Sequence, residues 1–287
     1  MAQADSRQQW TADFKAYLEF MRDEERISTV TLRPETLAAL RRRKAAPVKS
    51  AATGGTPAAS TAPRRVAAPP AARTAGPAGS AGRPVAVPPP DLQADPATEL
   101  ARVAQRIAAC QACGLHATRT KTVPGQGHPR PEVMFVGEAP GADEDQQGLA
   151  FVGRAGQLLT KMIAAMGFSR EEVFIANINK CRPPNNRPPM PEEMETCLPY
   201  LKAQIAILRP RVIVALGATA VRGLLKTDQP ISQLRGTWQE FEGIPVMPTF
   251  HPAYLLRDPH KKRPAWEDLQ AVLKKLGRPV PAAPRGE

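Results

Sequence analysis

The chemically competent residues of this chain fall into a few tight patterns. Cys110 and Cys113 form a Cys-x-x-Cys pair, Cys181 comes much later, and Cys197 stands sixteen positions beyond it. One close pair plus two separated thiolates suits a zinc site or an iron–sulfur cluster equally well on spacing, since both accept four sulfur ligands. Buried free thiols are the third reading. A second pattern is the run Gly137-Glu138-Ala139-Pro140-Gly141-Ala142-Asp143-Glu144-Asp145. It lacks the Lys and Ser/Thr of a phosphate loop, and its acids repel phosphate. Gly125-Gln126-Gly127 precedes the first strand and so makes no dinucleotide fingerprint. Asn177 and the triplet Phe250-His251-Pro252 each end an apolar run.

These groups need a frame to bring them together. Residues 133–136, 173–177, 212–216 and 245–249 read as buried strands, and 237–241 as a short edge strand. Residues 153–166, 191–208, 218–225 and 265–276 carry helical spacing. Strand and helix in alternation predict an α/β fold, a mainly parallel sheet with helices on both faces. Ligands of such sheets sit beyond the carboxyl ends of the strands. The acid-rich turn, Asn177, Gly217 and His251 are therefore expected along one edge.

Lys and Arg number 39 against 27 Asp and Glu, a formal charge of +12 on 287 residues. A balance this basic points to a polyanionic partner, nucleic acid first. No run of about 18 apolar residues is present, so no membrane span is expected. The N-terminus has no secretory pattern either, which places the chain in the cytoplasm. Residues 1–45 carry Trp10, Phe14, Tyr17, Leu18 and Met21 on one helical face and close with Arg41, Arg42, Arg43 and Lys44. They read as a short helical segment and a candidate docking surface for a protein partner. Residues 46–96 are Ala/Pro-rich, without aromatics, and have no acid between Glu35 and Asp91. That composition reads as a disordered linker. The globular domain is expected over 97–277, followed by a disordered tail, 278–287.

Taken together, Cys110-x-x-Cys113, Gly137-Glu138-Ala139-Pro140-Gly141, Cys181-Arg182-Pro183-Pro184-Asn185-Asn186-Arg187, Cys197 and His251-Pro252-Ala253-Tyr254-Leu255-Leu256 resemble the family 4, thermophile-type uracil-DNA glycosylases. The resemblance covers about residues 97–277. It implies a three-layer α/β/α fold on a four-stranded, mainly parallel sheet. It favours a 4Fe-4S cluster on Cys110, Cys113, Cys181 and Cys197, with zinc as the alternative. The implied activity is that of a monofunctional glycosylase that flips uracil out of DNA, hydrolyses its N-glycosidic bond and leaves an abasic site. By the same resemblance Glu138 lies near the attacking water, Glu144 is a second acid of the site, Phe151 stacks on uracil, and Asn177 and His251 contact it. A subgroup that traps DNA covalently has Gln where this chain has Ala139. It also has an Arg-Arg-Ile-His loop where this chain has Asn186-Arg187-Pro188-Pro189, so turnover with product release is expected.

The residue types fit that chemistry. Asn177 can accept from N3–H and donate to O4 of uracil, a pattern cytosine reverses. His251, with backbone N–H groups around Ala139 and Gly141, is placed to stabilise charge growing on O2. Tyr254, Leu255 and Leu256 read as a wedge for the vacated stack. Arg257, Lys261, Lys262 and Arg263, on what reads as the same loop, grip phosphate together with Arg182 and Arg187. The cluster is expected to order a DNA-facing loop and to perform no redox step. A monomer acting on nucleoid DNA is expected. Two rival readings are a relative acting on another deaminated base, which turns on pocket volume, and a non-catalytic iron–sulfur DNA-binding module, which Glu138 and His251 oppose.

Overall fold

The computed structural model describes residues 85–281, all within the unit Ala75–Glu287. The strands are β1 (Gln126–Gly127), β2 (Val133–Gly137), β3 (Phe174–Asn177), β4 (Val212–Leu216), β5 (Gln239–Phe241) and β6 (Ile244–Thr249). They form one sheet in the order β1-β3-β2-β4-β6-β5. The four central strands are parallel, with β2 beside both β3 and β4, and β4 beside β6. The outer two run antiparallel to their neighbours. The four-stranded parallel core is as expected, and β5 is the anticipated edge strand. The addition is β1, two residues long and without an apolar run to betray it.

Helices cover both faces: α1 (Pro96–Ala109), α2 (Ala142–Gln147), α3 (Arg154–Ala165), α4 (Pro191–Leu208), α5 (Gly217–Leu225), α6 (Ile231–Leu234), α7 (Pro252–Arg257) and α8 (Lys262–Leu276). Successive strand residues point to opposite layers. Val133, Phe135, Val212 and Val214 meet Leu159 and Ile163 of α3 and Leu269, Val272 and Leu273 of α8. Met134, Val136, Ile213 and Ala215 meet Leu198, Leu201 and Ile205 of α4 and Val221 and Leu224 of α5. With both faces covered, the central strands read as unbroken apolar runs.

Four helices, α1, α2, α6 and α7, were not anticipated, and two of them bear on the frame of the site. Asp95 caps α1, its carboxylate accepting from the Thr98 N–H at 3.0 Å, and Pro96 sits in the first turn. Val103 and Ile107 of α1 then pack on Tyr200, Ala203 and Ile207 of α4. That second layer buries α4 on nearly every side, which explains how it runs through Pro199. The other helix is α7, in the segment read as a loop. Pro252 starts it and His251 caps it.

The expected boundaries shift. Val85 and Val87 pack against the α1–α4 layer, so the linker ends before residue 85. Arg278 pairs with Glu132 at 2.6 Å and lies over the Phe168 ring, and Val280 packs on the core. The start of the supposed tail is thus part of the fold. The helical segment 1–45, most of the linker (46–84) and residues 282–287 lie outside the described residues. Among the described residues, no helix is long and apolar enough to cross a membrane.

The end of β6 is fixed by a buried polar knot. Asp268, 1% exposed, takes two hydrogen bonds from Arg235 (2.6 and 3.1 Å) and one from the Thr249 hydroxyl (2.6 Å). Removing the carboxylate strands both donors. Asp268→Ala should lower unfolding stability by about 3–5 kcal/mol, read from urea denaturation. A loss below about 1 kcal/mol would show that the knot does not hold this end of the sheet.

Candidate active site and cysteine site

The register of the parallel strands aligns their carboxyl ends. Gly137 lies opposite Asn177, and Leu216 opposite Thr249. Beyond this edge lies a cavity of about 360 Å3, the size of a small-ligand cleft. Its lining includes Glu138, Ala139, Gly141, Glu144, Phe151, Asn177, Arg187 and His251. All the acids, the aromatic ring, the amide and the imidazole expected at one site therefore face one space. Asp143, Asn186 and Ala253 line it too. All three stood inside the motifs already singled out, next to residues that drew more attention.

Phe151 is held in an unusual pose. Its φ is 53°, in the left-handed region, at a cost of roughly 1–3 kcal/mol. Arg170 pins this turn by donating to the carbonyl oxygens of Ala150 and Phe151, the latter at 2.9 Å, and to the Thr160 hydroxyl at 3.0 Å. The ring stands with its centroid 5.6 Å from that of His251. Gly137 makes the pose possible. A Cβ there would lie 2.5 Å from Phe151 Cζ and 2.4 Å from Asn177 Oδ1. Neither Gly137 nor Arg170 was flagged in the sequence. The glycine was visible only as part of a motif, and the arginine carried no signal.

The two carboxylates differ. Glu144 Oε1 accepts from the N–H groups of Val152 and Gly153, both at 2.9 Å, and Oε2 from the Gly141 N–H at 3.1 Å. It ties the acidic turn to the Phe151 loop. The Gly141 N–H is therefore occupied, contrary to the expectation that it faces a ligand. Glu138 makes no side-chain hydrogen bond or ion pair with any described residue. Asn177, 1% exposed, leaves its Oδ1 without a partner among the described residues. A buried acceptor left this way costs about 1–3 kcal/mol unless a ligand satisfies it.

His251 accepts the Ala253 N–H on Nδ1 at 3.1 Å. Burial, with a smaller effect from the Arg257 charge, pushes its pKa down to about 4. The ring is thus neutral near pH 7 with its proton on Nε2, the nitrogen free to donate.

The rim residues divide. Leu255 is 1% exposed and packs with Phe250 and Ala265, so it is core and cannot enter DNA. The helical turn of α7 is the reason. Pro252 and Leu255 face inward, while Ala253, on the cavity, shares a face with Leu256 and Arg257 at i+3 and i+4. Tyr254 packs its ring on Phe250 and reaches Asp258. Arg257, Lys262 and Arg263 are exposed, Lys261 partly so. Arg187 pairs with Glu193 (2.6 and 2.8 Å), and Arg182 donates to Asn186 Oδ1 at 2.7 Å. Both thus brace the loop between Cys181 and α4.

All four cysteines line one further space, with Lys180, Arg119 and Tyr200 around it, and none is in a disulfide. Arg119 donates to Cys181 Sγ at 3.2 Å and the Lys180 N–H to Cys197 Sγ at 3.3 Å. Burial pushes the Cys197 thiol up to about 12 and raises those of Cys113 and Cys181. Lys180, buried too, is lowered to about 8. Among the described residues, no three His, Cys, Asp or Glu side chains gather tightly enough around a point to hold one metal ion.

Comparison with known proteins gives a consistent picture. The family described as the uracil DNA glycosylase superfamily matches residues 124–270. A type-4 uracil-DNA glycosylase of Thermotoga maritima is 49% identical over 158 residues, 54% of this chain and 82% of that protein. One from Archaeoglobus fulgidus is 43% identical over 183 residues, 61% of this chain and 90% of its own. A type-5 uracil-DNA glycosylase of Pyrobaculum aerophilum is 32% identical over 152 residues, 47% of this chain and 67% of that one.

The state of His251 has a measurable consequence. Its folded pKa of about 4 lies below the ordinary 6.5, so between these values the unfolded chain binds the proton and the folded one does not. Stability is full above about pH 6.5 and falls as pH drops toward 4. Imidazole NMR should show His251 titrating near 4, and His251→Gln should flatten the stability loss in that window. A midpoint near 6.5 would show that burial does not hold the proton off the ring, and one well above 7 would remove the case for a neutral donor.

Proposed function

The chain belongs to the type-4 uracil-DNA glycosylases of the uracil DNA glycosylase superfamily, and on that footing we propose how its pocket works. The reaction is excision of uracil from DNA by hydrolysis of the N-glycosidic bond, the opening step of base excision repair. The observation that carries the mechanism is the convergence of Glu138, Phe151, Asn177 and His251 on one cavity at the carboxyl edge of the sheet.

A base inside the stack is out of reach, so the nucleotide must swing out. Phe151 offers its face to the extruded ring, stacking worth ~1–3 kcal/mol. The orphan Oδ1 of Asn177 takes the N3–H of uracil, and its amide group donates to O4. Cytosine has an acceptor and a donor at those places and would leave buried groups unpaired, at about 1–3 kcal/mol each. As the C1′–N1 bond lengthens, its electron pair moves onto the base and charge gathers on O2. The neutral His251 donates Nε2–H there. Glu138, without a side-chain partner among the described residues, holds the water that bonds to C1′, offsets the positive charge on the sugar and takes the water's proton. Glu144 is a positioning residue in this scheme, since both its oxygens already accept backbone N–H groups. Its three hydrogen bonds set the turn that carries Glu138 relative to Phe151.

Leu256 is the side chain we assign to fill the vacated stack, because it shares the cavity-side face of α7 with Ala253. Tyr254 flanks it, and Arg257, Lys261, Lys262 and Arg263 grip phosphates beyond it. Arg182 and Arg187 form the opposite bank. The catalytic domain spans about 85–280, one copy supplies every lining residue, and the protein works on nucleoid DNA in the cytoplasm.

Cys110, Cys113, Cys181 and Cys197 would hold a 4Fe-4S cluster. All four cysteines line one space, and four thiolates are the ligand set that such a cluster takes. When bound, the cluster supplies structural order to the loop 182–190. Pro183, Asn186 and Arg187 of that loop line the catalytic cavity.

With a uracil-containing oligonucleotide and hot alkali, the protein should cleave at uracil; binding without cleavage would overturn the enzyme reading. His251→Ala should lower the single-turnover rate ~10²–10³-fold with little change in DNA affinity, and equal losses in both would cancel its role. Asn177→Asp should reduce the preference for uracil over cytosine by about tenfold or more. Analysis of purified protein should find iron and acid-labile sulfide; zinc alone would reject the cluster.

A further inference from the structure

Lys180 is used by none of these steps, yet it is 1% exposed and reaches two sites at once. Its backbone N–H meets Cys197 Sγ at 3.3 Å, and it lines the space shared by the four cysteines. Its Nζ donates to the Asn177 carbonyl oxygen at 2.8 Å and to Gln204 Oε1 at 2.8 Å. Gln204, 2% exposed, is itself anchored by donating to the Pro124 carbonyl at 2.7 Å. The Lys180 carbonyl in turn accepts the Val123 N–H at 2.8 Å. Every polar atom of the residue is engaged.

A lysine is an expensive choice for a core position. Methionine would fill the same volume without an amine to desolvate, and no carboxylate pairs with Lys180 among the described residues. What lysine adds is a link. The amide oxygen of Asn177 has no partner among the described residues, so its aim depends on the backbone that carries it. The Lys180 side chain holds that backbone. Two donated hydrogen bonds need two N–H bonds, which amine and ammonium both possess, so the link does not depend on protonation. Thiolates binding a metal would add negative charge beside it.

We propose that Lys180 is a positioning residue that couples the cysteine site to Asn177, so that order at the metal ligands is transmitted to the group that reads the base. The inference rests on the reading of Asn177 given above. Coupling of this kind is reciprocal: whatever firms one end firms the other.

The test uses the full-length holoprotein and two readouts. Lys180→Met should speed loss of the visible iron–sulfur absorbance in excess chelator by about tenfold, as other changes behind metal ligands do. It should also lower the uracil-to-cytosine rate ratio by about tenfold. A change in only one readout, or in neither, overturns the coupling, because separate local roles would then suffice. Gln204→Leu removes one acceptor of the same amine and should move both readouts the same way by a smaller factor. It decides the matter alone if Lys180→Met does not fold, and no shift in either readout overturns the proposal. Asn177→Asp separates the two levels. If it leaves the ratio unchanged, the reading of Asn177 fails and this inference with it. If Asn177→Asp responds and Lys180→Met does not, the coupling alone fails.

Discussion

A side chain on Gly137 would put a Cβ within 2.4 Å of the Asn177 amide oxygen and 2.5 Å of the Phe151 ring. The bare backbone at the end of β2 is what lets a flat ring and a polar edge stand side by side over the sheet. The rest of the pocket is arranged around that vacancy. Phe151 must enter it from a left-handed turn, and Arg170 holds the turn by its carbonyl oxygens. Another glycine, Gly156, admits the same carbonyl at a distance that no Cβ would allow. Local backbone strain is thus offset by hydrogen bonds and close packing around one loop.

The polar groups of the pocket sort by whether the protein already satisfies them. Both oxygens of Glu144 and Nδ1 of His251 are engaged with backbone N–H groups, and these residues set geometry through those bonds. The Glu138 carboxylate and Asn177 Oδ1 are left for a ligand. Having one nitrogen of His251 engaged fixes the other as donor, and burial keeps the ring uncharged. The mechanism proposed for uracil excision draws on this division: fixed groups hold the fold of the site, and open groups are assigned to water and base.

The cysteine space and the catalytic cavity are separate rooms with shared walls. The loop after Cys181 lines the second with Pro183, Asn186 and Arg187, and its ion pair to Glu193 ties it to the helix that bears Cys197. Lys180 runs through the wall itself. In the proposed reading, a metal centre held by the four cysteines would bear on the shape of the pocket through these packed and hydrogen-bonded contacts.

The central strands, the helices α3, α4, α5 and α8 and the convergence of acid, amide and imidazole were legible in the sequence. Apolar runs fix strands, helical spacing fixes helices, and parallel order alone sends the carboxyl ends of the four central strands to one edge. What stayed hidden is of another kind. Leu255 and Leu256 are adjacent leucines, and only the phase of α7 sends one to the core and the other to the rim. Glu138 and Glu144 are two acids of one turn, and only the folded backbone decides which of them is already engaged. Lys180 looks like any surface lysine until the sheet, α4 and the cysteine loop close over it. Residue type and spacing determine which elements form, because those depend on near neighbours. Burial, hydrogen-bond satisfaction and protonation depend on what arrives from distant parts of the chain, and only tertiary structure assembles those parts.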